Sequence, residues 1–479
     1  MIVVSAVAAP MMPQCHRQRY RQRDRGGAAI LRAIMRETGD DALAQHLATL
    51  QERYAAALAA SGYDALILGA GCEEHYFLDD QGPPFRPNPC LAQWFPAAAH
   101  PGACLAWRPG EHPVAVLLQI EDYWRLPPEP PGTPWDRHIE FRFVREPDEI
   151  ESALPAWPGR VARVGPPGQW PDAAASADLN PPALLDALHY PRAVKTDWEV
   201  ARIRDATRAA VAGHRAVASA FADGASEFEM LLAFQSAARQ TAAELPYPAI
   251  IAGDRNAATL HYQHYRRDAA PARSLLVDAG CQSLGYASDI TRSYARPAEP
   301  EFARLIAGLE RLQQALCKRV APGLPFARLH HAAHVLLGQL LEREGLVRAP
   351  AEAIVATGVT RLFFPHGLGH LLGLQVHDVG GQLASADGRR LKPPEVYPKL
   401  RLLRELAPGF VLTIEPGLYF IDSLLRELRR HELGPRVDWS RIERLRDCGG
   451  IRIEDNLLVT GDGAINLTRE AFAAADEAG

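Results

Sequence analysis

Long apolar runs are missing from this sequence. No stretch approaches the roughly 18 consecutive apolar residues that a transmembrane helix needs, which excludes a helical membrane protein. Cysteine is sparse: seven residues in 479, odd in number, scattered, and without a CxxC pair. That argues against a disulfide framework or a structural zinc site and fits a cytoplasmic, reducing setting. A charge excess is missing as well. With 52 Lys+Arg against 57 Asp+Glu, a net charge of −5, the chain has no global attraction to nucleic acid or to an anionic membrane. Compositional bias is absent too: 47% hydrophobic and 23% charged residues exclude a mostly disordered, collagen-like or coiled-coil chain. The length predicts two or three domains.

The N-terminus stands apart. MIVVSAVAAPMM is followed by CHRQRYRQRDR, with five arginines between Arg17 and Arg25. A secretory signal places its positive residues before the apolar stretch, and here the order is reversed. We expect a disordered extension over residues 1–38, with Met35 as an alternative start. A transit peptide and a basic nucleic-acid arm are the competing readings.

From about Asp40 the pattern is helical: Leu43, His46, Leu47, Leu50 and Tyr54 recur on one face. YDALIL (63–68), FPAAAH, the stretch 103–120 with its Pro109-Gly110 turn, and RVARVGP (160–166) read as strands. Strands alternating with helices predict an α/β N-terminal domain over 39–188, closing near HYPRAVKT. The second domain, 189–479, opens on two capping boxes, Thr196–Glu199 and Ser226–Glu229; the second starts a helix to about Ala243. Helices near 301–320 and 326–345 follow. Between and after these helix pairs come β-rich stretches, so helix pair and strands occur twice, which hints at an internal duplication without a visible sequence repeat.

Four carboxylates fall where strands should be apolar: Asp278 in SLLVDAG, Asp289 in GYASDITRSY, Glu415 in FVLTIEPGLYF and Glu454 in GGIRIEDNLLV. Burying an ionised carboxylate costs several kcal/mol unless it is paired or coordinated. Lysine is scarce, and Arg292 and Arg452 could neutralise two at most. A divalent metal satisfies several carboxylates together. FFPHGLGHLLGLQVHDVGG adds His366, His370 and His377, a high density for a chain with 17 histidines in 479 residues. The HxxxH spacing lacks the Glu of an HExxH zinc protease, so that mechanism is not supported. An oxygen-rich set with histidine suits two divalent ions such as Mn²⁺, with Co²⁺ or Zn²⁺ as alternatives, and suits hydrolysis of an amide or ester.

The ordered set DAG–x8–D, PHGLGH, TIEPGLY and GGIRIED resembles the pita-bread metallopeptidases, the family of prolidase, aminopeptidase P and methionine aminopeptidase. HLATLQER, FLDD, FRPNP, KTDWEVARIRDA, GLQVHDVGG, EPGLYFIDSLL and IRIEDN resemble most closely its bacterial Xaa-Pro dipeptidase group, near organophosphorus acid anhydrolase. The resemblance runs from about residue 45 to 470. It implies a pita-bread catalytic domain with two divalent ions held by Asp278, Asp289, His370, Glu415 and Glu454. Asp289 and Glu454 are expected to bridge the ions, with Glu415 also moving the proton from water to the leaving nitrogen. His261, His366 and His377 are expected near the scissile bond, with His377 stabilising the tetrahedral intermediate. Arg452 and Tyr247 are expected in the substrate pocket, and Asp80 is expected to reach a second subunit's site and read the free amine.

The expected activity is therefore hydrolysis of dipeptides ending in proline by a cytoplasmic homodimer, with organophosphorus esters as a side activity. Aminopeptidase P, cleaving longer peptides, is the enzyme alternative. A non-catalytic pita-bread binding protein is the alternative of another class; it would have lost ligands or gained a basic surface, and neither is seen. No nucleic acid or membrane partner is expected.

Overall fold

The computed structural model describes residues 25–478 apart from 122, 125–126, 171–177 and 269–270. Residues 1–24 of the expected disordered extension lie outside the described residues. Over 25–38 a helix stands where disorder was expected, because α1 spans Arg25–Ser61. No proline falls between Pro13 and Pro83, so nothing in that stretch breaks the helical hydrogen-bond ladder. Leu43, Leu47, Leu50 and Tyr54 of α1 are all buried, and so is His46.

The five-stranded N-terminal sheet comprises β1 (Ala65–Gly69), β2 (Cys104–Trp107), β3 (Val114–Leu118), β4 (Glu140–Val144) and β5 (Val161–Val164), in the order β4-β3-β2-β1-β5. The central pairs β1–β2 and β2–β3 are antiparallel, and the outer pairs β1–β5 and β3–β4 are parallel. Alternation assigns the two faces. Leu66, Leu68, Leu105 and Trp107 pack beneath α1 and α2 (Pro182–His189), while Ile67, Cys104, Ala106 and Val116 pack on Leu154 and Trp170. One expected strand is absent: FPAAAH forms turns. Phe95 and Ala97 are still buried, so its apolar character serves packing without pairing.

Both capping boxes form. Thr196 opens α3 (Asp197–Asp223) and Ser226 opens α4 (Glu227–Ala238). α4 stops at Ala238 rather than Ala243, because Arg239 turns left-handed at φ 56°. β6 (Ile250–Gly253), β7 (Ser274–Asp278) and β8 (Thr291–Ala295) make an antiparallel sheet beside this helix pair. The second pair, α5 (Pro300–Cys317) and α6 (Phe326–Arg343), packs its leucines against the second group of strands. There β9 (Val411–Ile414), β12 (Asp455–Val459) and β13 (Ala464–Asn466) form one sheet, and β10 (Gly417–Tyr419) pairs with β11 (Gly450–Arg452). An isolated bridge, Thr291 to Glu454, joins the two groups of strands. No helix among the described residues is long and apolar enough to cross a membrane.

Candidate active site

The four carboxylates found in apolar runs all sit where a strand ends or breaks. Asp278 is the last residue of β7, and Asp289 lies just before β8. Glu415 falls between β9 and β10, and Glu454 between β11 and β12. At a break a side chain can leave the alternation of its strand without costing a ladder hydrogen bond, and here all four turn toward one point. His370 arrives on the loop beside β9, bonded through its carbonyl to the Thr413 amide at 3.0 Å. That approach needs Gly369, where a Cβ would lie 2.0 Å from the Thr413 carbonyl oxygen.

Ligand atoms of Asp289, His370 and Glu454 lie within 4.8 Å of one another, and all three residues are buried. His370 Nδ1 faces the Leu371 carbonyl at 3.0 Å, which leaves Nε2 pointing at Asp289 Oδ2 (3.4 Å) and Glu415 Oε1 (3.8 Å). The Tyr247 hydroxyl sits between Asp278 Oδ1 at 2.9 Å and Asp289 Oδ1 at 2.6 Å. Thr291 donates to Glu454 at 2.7 Å. The Asn456 carboxamide bonds both the amide (3.2 Å) and the carbonyl (2.7 Å) of Asp289.

Charge at this point is unbalanced. Burial, then the Asp278 carboxylate, pushes Asp289 well above the usual carboxylate range. Glu454 is pushed up by burial and then by Asp289, and Glu415 by burial and then by Glu454. Among the described residues, the guanidinium bonded to one of these four carboxylates is that of Arg452, which donates to Asp278 Oδ2 at 2.6 Å and to the Tyr419 hydroxyl at 2.8 Å. One guanidinium against four carboxylates leaves room for divalent cations, and the oxygen-rich donor set with one imidazole fits them.

The remaining expected residues divide. A cavity of about 1170 Å³ above the carboxylates is lined by Tyr247, His261, Asp278, Asp289 and His377, and across it by Phe85, Arg86 and Pro87 of the N-terminal domain. His377 stands edge-on to His370, ring centroids 4.4 Å apart. His366 lies 3.5 Å from Glu415 and 2.8 Å from the Tyr419 hydroxyl; burial and then Arg452 push its imidazole down to about 3. Asp80 is not brought to the site: it lies on an exposed loop, accepts from Gln81 at 3.1 Å and does not line the cavity. Arg452 is 4% exposed, with Nε also bonded to Thr291 at 3.2 Å, so it braces the floor of the site.

Several residues at the site escaped the sequence reading. Thr291, Thr413 and Asn456 bond Glu454, His370 and Asp289, and Tyr419 bonds His366 and Arg452; three of the four fall inside the TIEPGLY and IRIEDN motifs without having been given a role. Asp378, next to His377, is buried between Arg192 and Lys195; an acid in HDVGG and a rare lysine before a capping box were the available signals. Arg401 lines a second cavity of about 250 Å³ together with His370 and His377.

Comparison with known proteins follows the same division of the chain. Residues 201–461 match metallopeptidase family M24, and residues 41–190 match the Xaa-Pro dipeptidase N-terminal domain. A Xaa-Pro dipeptidase of Stenotrophomonas maltophilia (strain K279a) is 43% identical over 432 residues, 90% of this chain and 97% of the relative. One from Xanthomonas campestris pv. campestris (strain B100) is 44% identical over 431 residues, again 90% and 97%. In fold, the chain is similar to aminopeptidase P from E. coli in complex with the inhibitor Pro-Leu, with a TM-score of 0.64 at 22% identity, covering 89% of this chain and 98% of that one. Pseudomonas aeruginosa aminopeptidase PepP gives a TM-score of 0.65 at 22% identity, covering 90% and 98%. With the N-terminal domain, the pita-bread catalytic domain and the buried carboxylate–histidine centre all in place, the chain belongs to metallopeptidase family M24.

Proposed function

We propose that this chain is a Xaa-Pro dipeptidase, hydrolysing dipeptides that end in proline. The observation that carries the reading is the convergence of Asp289, His370 and Glu454, with Asp289 opening onto a cavity lined by residues of both domains. Relatives at 43% and 44% identity that bear this name match almost end to end. The aminopeptidase P likeness is one of fold at 22% identity, so the dipeptidase reading is favoured.

Asp278, Asp289, His370, Glu415 and Glu454 are the residues that would hold two divalent ions, most simply Mn²⁺. Such ions would polarise the scissile carbonyl and make a water nucleophilic near neutral pH. The chain's own residues do the rest. Glu415, beside His370 and His366, takes up a proton and returns it to the departing proline nitrogen. His377 and His261, on the cavity wall, are placed to donate to the developing oxyanion. His366 is held neutral against Tyr419 and steadies Glu415. A Xaa-Pro bond has no N–H, so recognition must fall on the two chain ends. Arg452 is committed to Asp278 and Tyr419, and Arg401 beside His377 is the cation we assign to the substrate carboxylate. Tyr247 keeps Asp278 and Asp289 apart and aligned.

Asp80 lies beside Tyr76, Phe77 and Leu78, which are 57%, 92% and 91% exposed. An apolar loop tip of this kind fits insertion into a second copy, and we place the protein as a cytoplasmic homodimer in which Asp80 reads the partner site's amine. Residues 1–38 are assigned to an extension, 39–188 to the N-terminal domain and 189–479 to the catalytic domain. A side activity on organophosphorus esters is carried over from the family resemblance alone, and is tested with such an ester in the same metal-addition assay.

The test is hydrolysis of Ala-Pro beside Ala-Pro-Ala by chelated protein before and after Mn²⁺. Metal-dependent cleavage of the dipeptide alone is the expected result. Preference for the tripeptide would make the protein an aminopeptidase P.

A further inference from the structure

Arg86 reaches across the cavity. It belongs to the FRPNP loop of the N-terminal domain, yet its guanidinium donates to the Leu245 carbonyl (2.7 Å) and to the Pro246 carbonyl (3.0 Å) of the catalytic domain. Both acceptors immediately precede Tyr247, whose hydroxyl lies between Asp278 and Asp289. Each end of this connection is stiff. Pro84, Pro87 and Pro89 restrict the loop carrying Arg86. Asn88 pins that loop to the N-terminal sheet, donating to the Gly69 and Val164 carbonyls at 3.1 Å each, while its amide donates to Ala70 at 2.9 Å. On the other side, Pro246 and Pro248 flank Tyr247.

We propose that Arg86 is a positioning residue for the metal centre: by clamping the backbone of Leu245 and Pro246 it holds the Tyr247 hydroxyl between Asp278 and Asp289. The planar guanidinium fork is the group that can serve two carbonyls at once. Through this contact the placement of the N-terminal domain sets the geometry of carboxylates it does not touch. The inference rests on the metal-centre reading above but not on the identity of the substrate.

A double-mutant cycle on the full-length protein tests it, using Arg86→Ala, Tyr247→Phe and both together. Two readouts are taken: Mn²⁺ retention, from free Mn²⁺ by electron paramagnetic resonance, and kcat against KM on Ala-Pro. Arg86→Ala is expected to weaken Mn²⁺ retention and to lower kcat, each by about tenfold, the effect of losing a charge-assisted hydrogen bond. In the Tyr247→Phe background the same change is expected to alter either quantity by less than about twofold. Arg86→Lys, with one point charge, should restore part of the loss, and free guanidinium should restore Arg86→Ala but not the double variant.

Equal effects of Arg86→Ala in both backgrounds would overturn the proposal, since the residue would then act independently of Tyr247. A raised KM with kcat and Mn²⁺ retention unchanged would also overturn it, making Arg86 a substrate contact. If Ala-Pro proves not to be a substrate, the Mn²⁺ cycle still decides the matter, so failure of the dipeptidase reading and failure of this one are distinguishable.

Discussion

Replacing Asp378 by Asn tests how the wall of the site is built. Asp378 accepts from Lys195 at 2.9 Å and is paired with Arg192, and all three side chains are at most 4% exposed. Burial alone would raise the Asp378 carboxyl, but the Arg192 guanidinium and the Lys195 ammonium bring it below the usual carboxylate value. One anion thus neutralises two buried cations. Asn removes the anion and leaves both cations uncompensated, which costs about 3–5 kcal/mol for a buried pair broken on one side. That is a large share of a typical folding stability of about 5–15 kcal/mol. Lys195→Met should cost clearly less, because Asp378 then keeps Arg192 as a one-to-one partner. The pair Asp378→Asn and Lys195→Met together should be more stable than Asp378→Asn alone. Urea unfolding followed by far-ultraviolet circular dichroism measures all three. A cost below about 1 kcal/mol for Asp378→Asn, or one equal to that of Lys195→Met, would refute the charge accounting. Because the Asp378 carboxylate anchors the segment that carries His377 to Arg192 and Lys195, the same variant should lower turnover by displacing His377.

Asp289→Asn is expected to abolish activity and metal retention while circular dichroism is unchanged; full activity would remove Asp289 from the ligand set. Arg401→Met should raise KM for Ala-Pro by about tenfold or more, the worth of a hydrogen-bonded charge pair, with a smaller change in kcat; an unchanged KM would return the carboxylate to another residue. His214 concerns pH. It is buried against the Ala279 carbonyl at 3.0 Å, and burial holds its imidazole down to about 4, below the ordinary histidine value of 6.5. The unfolded chain therefore binds the proton first, so this contribution is complete above about 6.5 and is lost as pH falls toward about 4. The difference corresponds to about 3 kcal/mol. His214→Gln keeps an N–H donor but cannot titrate there, so its stability should fall less steeply over that window; identical slopes would refute the assignment.

Much of the site was legible because its residues are misplaced by the ordinary rules of strands. Asp278, Asp289, Glu415 and Glu454 each interrupt an apolar run, and that conflict marks a candidate ligand before any geometry is known. The capping boxes at Thr196 and Ser226 were legible because a cap is local, within four residues. Illegible contacts are long-range. Tyr419, Arg452 and Asp278 are bonded in sequence, yet Tyr419 and Asp278 reside on strands of different sheets, and nothing in either segment announces the other. FPAAAH failed for a different reason. Its apolar residues are buried as a strand's would be, but periodicity cannot distinguish burial in turns from burial in a ladder when the run is this short. Asp80 came from resemblance, and the structure of the single chain leaves it on an exposed loop.

The position of the carboxylates at strand breaks also explains how one site can be both buried and charged. A carboxylate in mid-strand would face either solvent or a hydrophobic layer, and the second is costly. At a break the backbone is released from the period of two, so β7, β8, β9 and β12 can each deliver an acid to the same point while their apolar neighbours stay in the core. Val277 and Ile414, adjacent to Asp278 and Glu415, are fully buried. The hydrophobic layer then holds the acids in place, and their mutual repulsion is the driving force for binding cations. On this account the fold is most strained as the apo protein, and divalent metal should raise its unfolding temperature, with Asp289→Asn suppressing that rise.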